Sequence, residues 1–263
     1  MELTWYHYLA AALGGAMAGA INTLAGNGSA ITLTILTELI GLPGNAANAT
    51  NRIGIFTQCI AGVAAFHKND RMKLEQSWPY ILITTAGSLG GIALALMVSN
   101  EQFRIVFRYL MVVMFLMIVF KPERWLRNTD PSSKPNWWIA LPAFLAIGFY
   151  GGFIQMGMGL FFLAAMVLGA RFSLTDSNAA KLFVVAVYTG IAILVFAARG
   201  MIDWKMGAIV AVGQSFGGWF TAAYAAKSPK ANKVAYWVLV VVVIFGILSL
   251  FDLPDLVMGK LNN

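Results

Sequence analysis

The chain has 263 residues, of which 59% are hydrophobic and 11% charged, and its mean hydropathy is +0.74. That composition excludes an ordinary soluble domain and predicts an all-α polytopic membrane protein. The net charge of +7 does not indicate a nucleic-acid partner, because Lys and Arg fall in short loops between apolar runs rather than on one amphipathic face. The lone cysteine, Cys59, lies inside an apolar run and offers neither a disulfide framework nor a paired-cysteine metal or redox motif.

The amino-terminal residues Met1-Glu2-Leu3-Thr4-Trp5 lack the basic region of a cleavable signal, so the first apolar run, 5–25, is read as a retained helix. A Gly-x-Gly interruption follows at Gly26-Asn27-Gly28, then a run at 29–40 too short to span comfortably. Full-length runs come next at 46–66, 78–98 and 102–120. The hydrophilic stretch Lys121 to Asn136, with Pro122, Pro131 and Pro135, reads as a linker. Beyond it the pattern starts again: a full run at 138–156, a second break at Gly157-Met158-Gly159, a short run at 159–170, and full runs at 177–198, 206–225 and 234–252. The chain divides into a first membrane repeat (1–120), a linker (121–137) and a second membrane repeat (138–263).

The duplication keeps its register. Gly15-x-x-x-Gly19 matches Gly148-x-x-x-Gly152 at an offset of 133, Gly26 matches Gly157 at 131, Arg52 matches Lys181 at 129, and Gly87-x-x-x-Gly91 matches Gly213-x-x-x-Gly217 at 126. Taken singly, each Gly pair indicates close helix packing. Loop charges reverse between the halves. The loop 67–77 carries Lys68, Arg71 and Lys73 against Arg104 alone in 99–104, whereas the counterparts carry Arg199 and Lys205 against Lys227, Lys230 and Lys233. Basic residues favour the cytoplasm, so the reversal predicts inverted repeats of about five segments each, with both termini outside. Eight spans with two re-entrant pieces is the rival count.

Two cations stand out within the apolar runs. Arg52 shares a helical face with Asn48 and adjoins Asn51, and Gln58 lies two turns beyond Asn51. A polar stripe of this kind is costly against lipid and implies a cavity. Lys181 repeats the arrangement with Asn178 and Tyr188. In inverted repeats the two cations approach one central anion site from opposite sides, Arg52 with a planar fork and Lys181 as a point charge. Glycines at Gly26, Gly28, Gly157 and Gly159 let the backbone leave helical geometry there. The half-helices that follow would turn free N–H groups toward the gap, with Asn27, Ser29 and Gln155 as neighbouring side-chain donors.

Glu38 and Asp176 are the acidic groups placed to take a coupling proton, against an interfacial position for Glu38 and a helix cap for Asp176. Gly213-Gln214-Ser215-Phe216-Gly217 fits a nucleophilic-serine pattern, but it sits in a predicted span rather than a strand-to-helix turn, so no enzyme is read. No metal-ligand cluster or cofactor motif occurs.

The segments Gly41-Leu42-Pro43, Ala49-Thr50-Asn51-Arg52, the run from Gly148 to Gly157, and Asp203-Trp204 resemble the TauE/SafE sulfite-exporter family, also called the toluene-sulfonate uptake permease family. The resemblance covers nearly the whole chain. It implies a secondary transporter of sulfite, organosulfonates or related sulfur anions in a bacterial inner membrane. The second repeat departs from the first in having Ala180 in place of Asn51 and no match for Pro43. The expected partners are therefore a small anion, a proton or other coupling ion, and the lipid bilayer, with monomer and homodimer both open. An anion channel and a non-transporting scaffold are the alternative functions.

Overall fold

The computed structural model describes residues 3–25, 27–68, 74–120, 136–221 and 229–251, and every element among them is helical. The first block holds α1 (Trp5–Ala25), α2 (Ser29–Thr34), α3 (Gly44–Lys68), α4 (Trp78–Met97) and α5 (Asn100–Phe120). The second holds α6 (Trp137–Phe153), α7 (Met158–Ala164), α8 (Leu174–Ala198), α9 (Trp204–Phe220) and α10 (Pro229–Leu250). Both short helices run on into a π-helical turn, Ile35–Leu39 after α2 and Ala165–Gly169 after α7. The linker falls among residues outside the description, as do Gly26 and the loop cations Arg71, Lys73 and Lys227.

Helix starts follow the local sequence. Ser99 and Gln102 cap α5 reciprocally, the hydroxyl accepting from Gln102 N at 3.2 Å and the carboxamide from Ser99 N at 3.0 Å. Asn136 caps α6, Ser173 caps α8 and Asp203 caps α9 through their side-chain oxygens. The two π-turns end alike: Leu42 N donates to Leu36 O and Phe172 N to Met166 O, across Gly41 (φ +76°) and Arg171 (φ +63°).

The glycine pairs are packing sites. A Cβ on Gly19 would lie 2.1 Å from the Gln214 carbonyl oxygen, and one on Gly217 1.9 Å from that of Ala16, so α1 and α9 touch backbone to backbone. The same contact joins α4 and α6, where a Cβ on Gly91 would reach Phe149 O at 1.9 Å and one on Gly152 would reach Ser88 O at 2.1 Å. Each block therefore packs its first helix against the fourth helix of the other.

Helix directions follow from these contacts. Gly15 meets Val210 and Gly19 meets Gln214, so α1 and α9 run parallel. Gly54 meets Val210 and Gly218 meets Gln58, so α3 runs parallel to α9 and hence to α1. The chain between α1 and α3 must then return along the full length of α1, about 31 Å at helical rise. The eleven helical residues of α2 and its π-turn cover about 16 Å of that, and extended flanks supply the rest. Gly62 meets Leu182 while Gly190 meets Phe56, so α3 and α8, which hold equivalent places in the two blocks, run antiparallel.

Two helices, Trp78–Met97 and the part of α8 from Asp176 to Ala198, are both long and uniformly apolar enough to cross a membrane by that measure alone. Others miss it because they carry polar side chains inward: in α3, Asn48, Asn51 and Arg52 are all buried. The outward faces are apolar, with Leu82, Leu194 and Val212 exposed by 62%, 73% and 72%. Trp5, Trp78, Trp137, Trp138 and Trp204 stand exposed at helix starts, the placement favoured at membrane interfaces.

Candidate functional site

The two breaks meet between the blocks. At the second, Gln155 (φ +65°) and Gly157 (φ +74°) take left-handed backbone geometry. A Cβ on Gly157 would lie 3.1 Å from Oδ1 of Asn27, which belongs to the first break. Gly28 is right-handed and pressed against the Ala18 carbonyl. Gly159 lies inside α7 rather than in the break. Gln155 and Gly157 already supply the turn, so the chain needs no third special residue.

Beside this junction is a cavity of about 340 Å³. Ser29 at the start of α2, Gln155 in the second break, and Met158 and Gly159 at the start of α7 contribute to its wall. Asn178 and Lys181 enter from α8, Gln58 from α3, and Asn22 and Thr23 from the end of α1. Lys181 Nζ donates to Asn178 Oδ1 at 3.0 Å. Lys181 is the only charged residue of the lining among the described residues, and no carboxylate joins it.

Arg52 is elsewhere. It is fully buried, and its guanidinium clamps the carboxyl end of α6: Nη1 donates to Gly151 O at 2.8 Å and to Gln155 Oε1, and Nη2 to Gly152 O at 2.8 Å and Phe153 O at 3.2 Å. Helix α6 stops there with its last carbonyls unpaired and its dipole end negative, and a planar cation satisfies both. The pair of cations expected to share one site is thus split, with Lys181 on the cavity and Arg52 behind its wall. An offset of about 100 residues in sequence hides the α6 carbonyls from any local reading of Arg52.

The neighbouring amides follow Arg52. Asn48 Nδ2 donates to Phe153 O at 2.8 Å, and Asn51 Oδ1 accepts from Thr32 Oγ1 at 2.6 Å and Gln214 Nε2 at 3.2 Å. Neither they nor Asn27 lines the cavity. Gln155 connects the two zones. Its carboxamide oxygen is taken by Arg52 and, at 3.4 Å, by Thr189, so the group it can offer a ligand is its amide NH2.

The two acidic residues lie apart from the cavity. Glu38 Oε2 accepts from Ser249 Oγ at 2.6 Å and sits 3.8 Å from Arg104 Nη2, joining the π-turn of the first block to α10 and α5. Asp176 belongs to the α8 cap: Ser173 Oγ accepts from Asp176 N at 3.1 Å and lies 2.6 Å from its carboxylate. No group of three or more His, Cys, Asp or Glu converges among the described residues.

Asn22, Thr23 and Ser215 line the cavity without having been singled out from sequence. A signal for Asn22 existed, since the offset of 133 that relates α6 to α1 maps Gln155 onto it. The counterpart of the Arg52–Gln155 pair is therefore Lys181–Asn22. There the bond is not made: Lys181 turns to Asn178, and Asn22 Nδ2 donates to Gln58 Oε1 at 3.1 Å.

Comparison with known proteins gives the same picture across the chain. A family model described as "Sulfite exporter TauE/SafE" matches residues 11–250. A "Probable membrane transporter protein ORF9" from Sinorhizobium is 28% identical over 220 residues, covering 82% of this chain and 83% of the relative. "Probable membrane transporter protein YfcA" of Escherichia coli K12 is 29% identical over 203 residues, 76% of this chain and 74% of the relative. A "Probable membrane transporter protein" of Haemophilus influenzae is 25% identical over 204 residues, with 77% and 79% covered. No solved structure matches.

Proposed function

The chain belongs to the sulfite exporter TauE/SafE family of membrane proteins, and on that premise we propose that it is a secondary transporter moving a small sulfur-containing anion, sulfite or an organosulfonate, across the bacterial inner membrane. The observation that carries this reading is Lys181, a cation with one neutral side-chain partner on a cavity walled by both chain breaks. An anion there gains a charge-assisted hydrogen bond from Nζ, and neutral donors of Gln155, Ser29 and Asn178 fix its orientation.

The blocks act as inverted repeats of five crossings with both termini outside. The antiparallel course of α3 and α8 and the exchanged pairing of α1 with α9 and α6 with α4 support this. Transport runs by alternating access. Support comes from the asymmetry of the paired cations: Arg52 is docked on α6 on one side, and Lys181 is undocked from α1 on the other. Exchange of those two arrangements converts one access state into the other. Glu38, held between the π-turn, α5 and α10, is the group in position to take a coupling proton.

Uptake of labelled sulfite and of a small organosulfonate into proteoliposomes tests the reading. Saturable uptake that Lys181→Ala abolishes is the expected result. A folded Lys181→Ala protein that transports at the unmodified rate overturns the site, and single-channel current in planar bilayers overturns the carrier mechanism.

A further inference from the structure

The cavity walls restrict the cargo further, within the anion-transport reading of this same site. Lys181 brings one positive charge. The second cation that inverted repeats would deliver, Arg52, is turned away: four bonds tie it to the α6 carboxyl end and to Gln155, where the negative helix end offsets its charge. The remaining polar groups of the wall, among them Asn22, Gln58, Gln155 and Asn178, are neutral. A doubly charged guest would hold one charge without a counter-ion in a membrane-embedded pocket, which is strongly disfavoured. A singly charged guest is balanced.

Shape points the same way. A tetrahedral oxyanion displaces roughly two or three waters, about 60–90 Å³ at ~30 Å³ each, against a cavity of about 340 Å³. The excess room is bounded by Ile55, Leu182, Val185 and Met158, with the indole of Trp219 also on the wall. Apolar lining of this kind rewards an apolar body and gives nothing to extra hydrated oxygens.

We propose that this cavity selects a singly charged anion carrying a compact apolar substituent, about the bulk of an aryl ring, over small doubly charged oxyanions. Lys181 sets the charge, and the Leu182, Val185 and Trp219 wall sets the substituent. The chemistry of the head group, sulfonate or carboxylate, is secondary.

The test is equilibrium binding to the purified full chain in detergent at fixed ionic strength and pH 7.5, with benzenesulfonate, benzoate, methanesulfonate, sulfate and 1,3-benzenedisulfonate. Benzenesulfonate and benzoate are expected to bind at least tenfold tighter than methanesulfonate, sulfate or the disulfonate. Lys181→Gln removes binding of all of them. Trp219→Ala weakens benzenesulfonate at least threefold and leaves methanesulfonate unchanged, and Asn22→Lys, which adds a second cation to the wall, raises sulfate relative to benzenesulfonate at least tenfold. Lys181-dependent binding in which sulfate or the disulfonate matches benzenesulfonate, or in which the ring adds nothing, overturns this inference and leaves anion transport standing. Absence of binding by every anion overturns both.

Discussion

Arg52 and Gln155 are hydrogen-bonded across the two halves of the chain, whereas their counterparts Lys181 and Asn22 line a cavity with no bond between them. The same sequence element thus takes two forms in one molecule. One cation serves as the cap of a helix end, and the other is open to a ligand.

Replacing Arg52 removes the partner of three buried carbonyls and of Gln155. Hydrogen bonds to a charged donor contribute about 1.5–3 kcal/mol each, and unsatisfied buried acceptors add a penalty of similar size. Arg52→Ala is expected to destabilise by about 3–5 kcal/mol, in the range for breaking a buried charged contact. At roughly 2–4 °C per kcal/mol, the apparent Tm in detergent falls by ~6–20 °C. Arg52→Lys keeps the charge but loses the fork, so it recovers part of the loss. A shift under 2 °C for Arg52→Ala would show that the clamp does not hold α6.

Much of this was legible in the sequence, and the boundary is instructive. All ten helices coincide with apolar runs because lipid and a packed core both demand apolar residues, and the glycine pairs at Gly15, Gly87, Gly148 and Gly213 marked real backbone contacts. What could not be read locally was partner choice. Arg52 looks alike in sequence whether it faces a cavity or a helix end 100 residues away, and Gln155 gives no warning of its left-handed backbone. Strict apolarity also misleads for α3, whose polar stripe is turned inward.

The helix contacts at Gly217 and Gly169 predict opposite outcomes for one substitution. A methyl on Gly217 would sit 1.9 Å from the Ala16 carbonyl oxygen, while one on Gly169 meets nothing within 4 Å. Gly217→Ala is expected to separate α1 from α9 and destabilise by about 1–3 kcal/mol. Gly169→Ala is neutral or stabilising by up to about 1 kcal/mol, because alanine loses less entropy in a helical turn. Thermal unfolding of the two variants side by side checks both, and equal shifts would contradict the packing described.

Arg171 occupies left-handed backbone, φ +63°, where the first block has Gly41 at φ +76°. A side chain costs roughly 1–2 kcal/mol in that geometry. Arg171→Gly is therefore expected to stabilise by about 1 kcal/mol, less the small entropic cost of glycine in the unfolded chain. Gly41→Ala, with open space around it but the wrong backbone, is expected to destabilise by a similar amount. The opposite signs are the diagnostic, read as apparent Tm.

Glu38 and Asp176 separate by the company they keep. Asp176 shares a cap with Ser173, so Asp176→Asn costs at most about 1 kcal/mol and leaves transport unchanged. Glu38 joins the π-turn to Ser249 and Arg104. Glu38→Gln keeps a hydrogen-bonding side chain there but removes the titratable carboxyl. Uptake driven by a pH gradient is expected to fall at least tenfold, while exchange of labelled for unlabelled anion at equal pH continues. Loss of exchange as well would assign Glu38 to structure rather than coupling.

Access itself can be read at Ser215, which lines the cavity. Cys59 is the single cysteine, so Ser215→Cys in a Cys59→Ser background gives one reporter. In oriented proteoliposomes a membrane-impermeant thiol reagent should reach Cys at 215 from one face only, and a bound anion should slow the reaction. Arg52→Gln weakens the docked form on the far side, which favours the opposite state in which Lys181 closes on α1, so labelling from the original face should drop. Lys181→Gln works the other way, because it removes the cation that would dock on α1 and leaves the cavity open. Parallel changes in both variants would mean that the two cations do not exchange roles. Opposite changes tie the Arg52 clamp and the Lys181 cavity to one equilibrium.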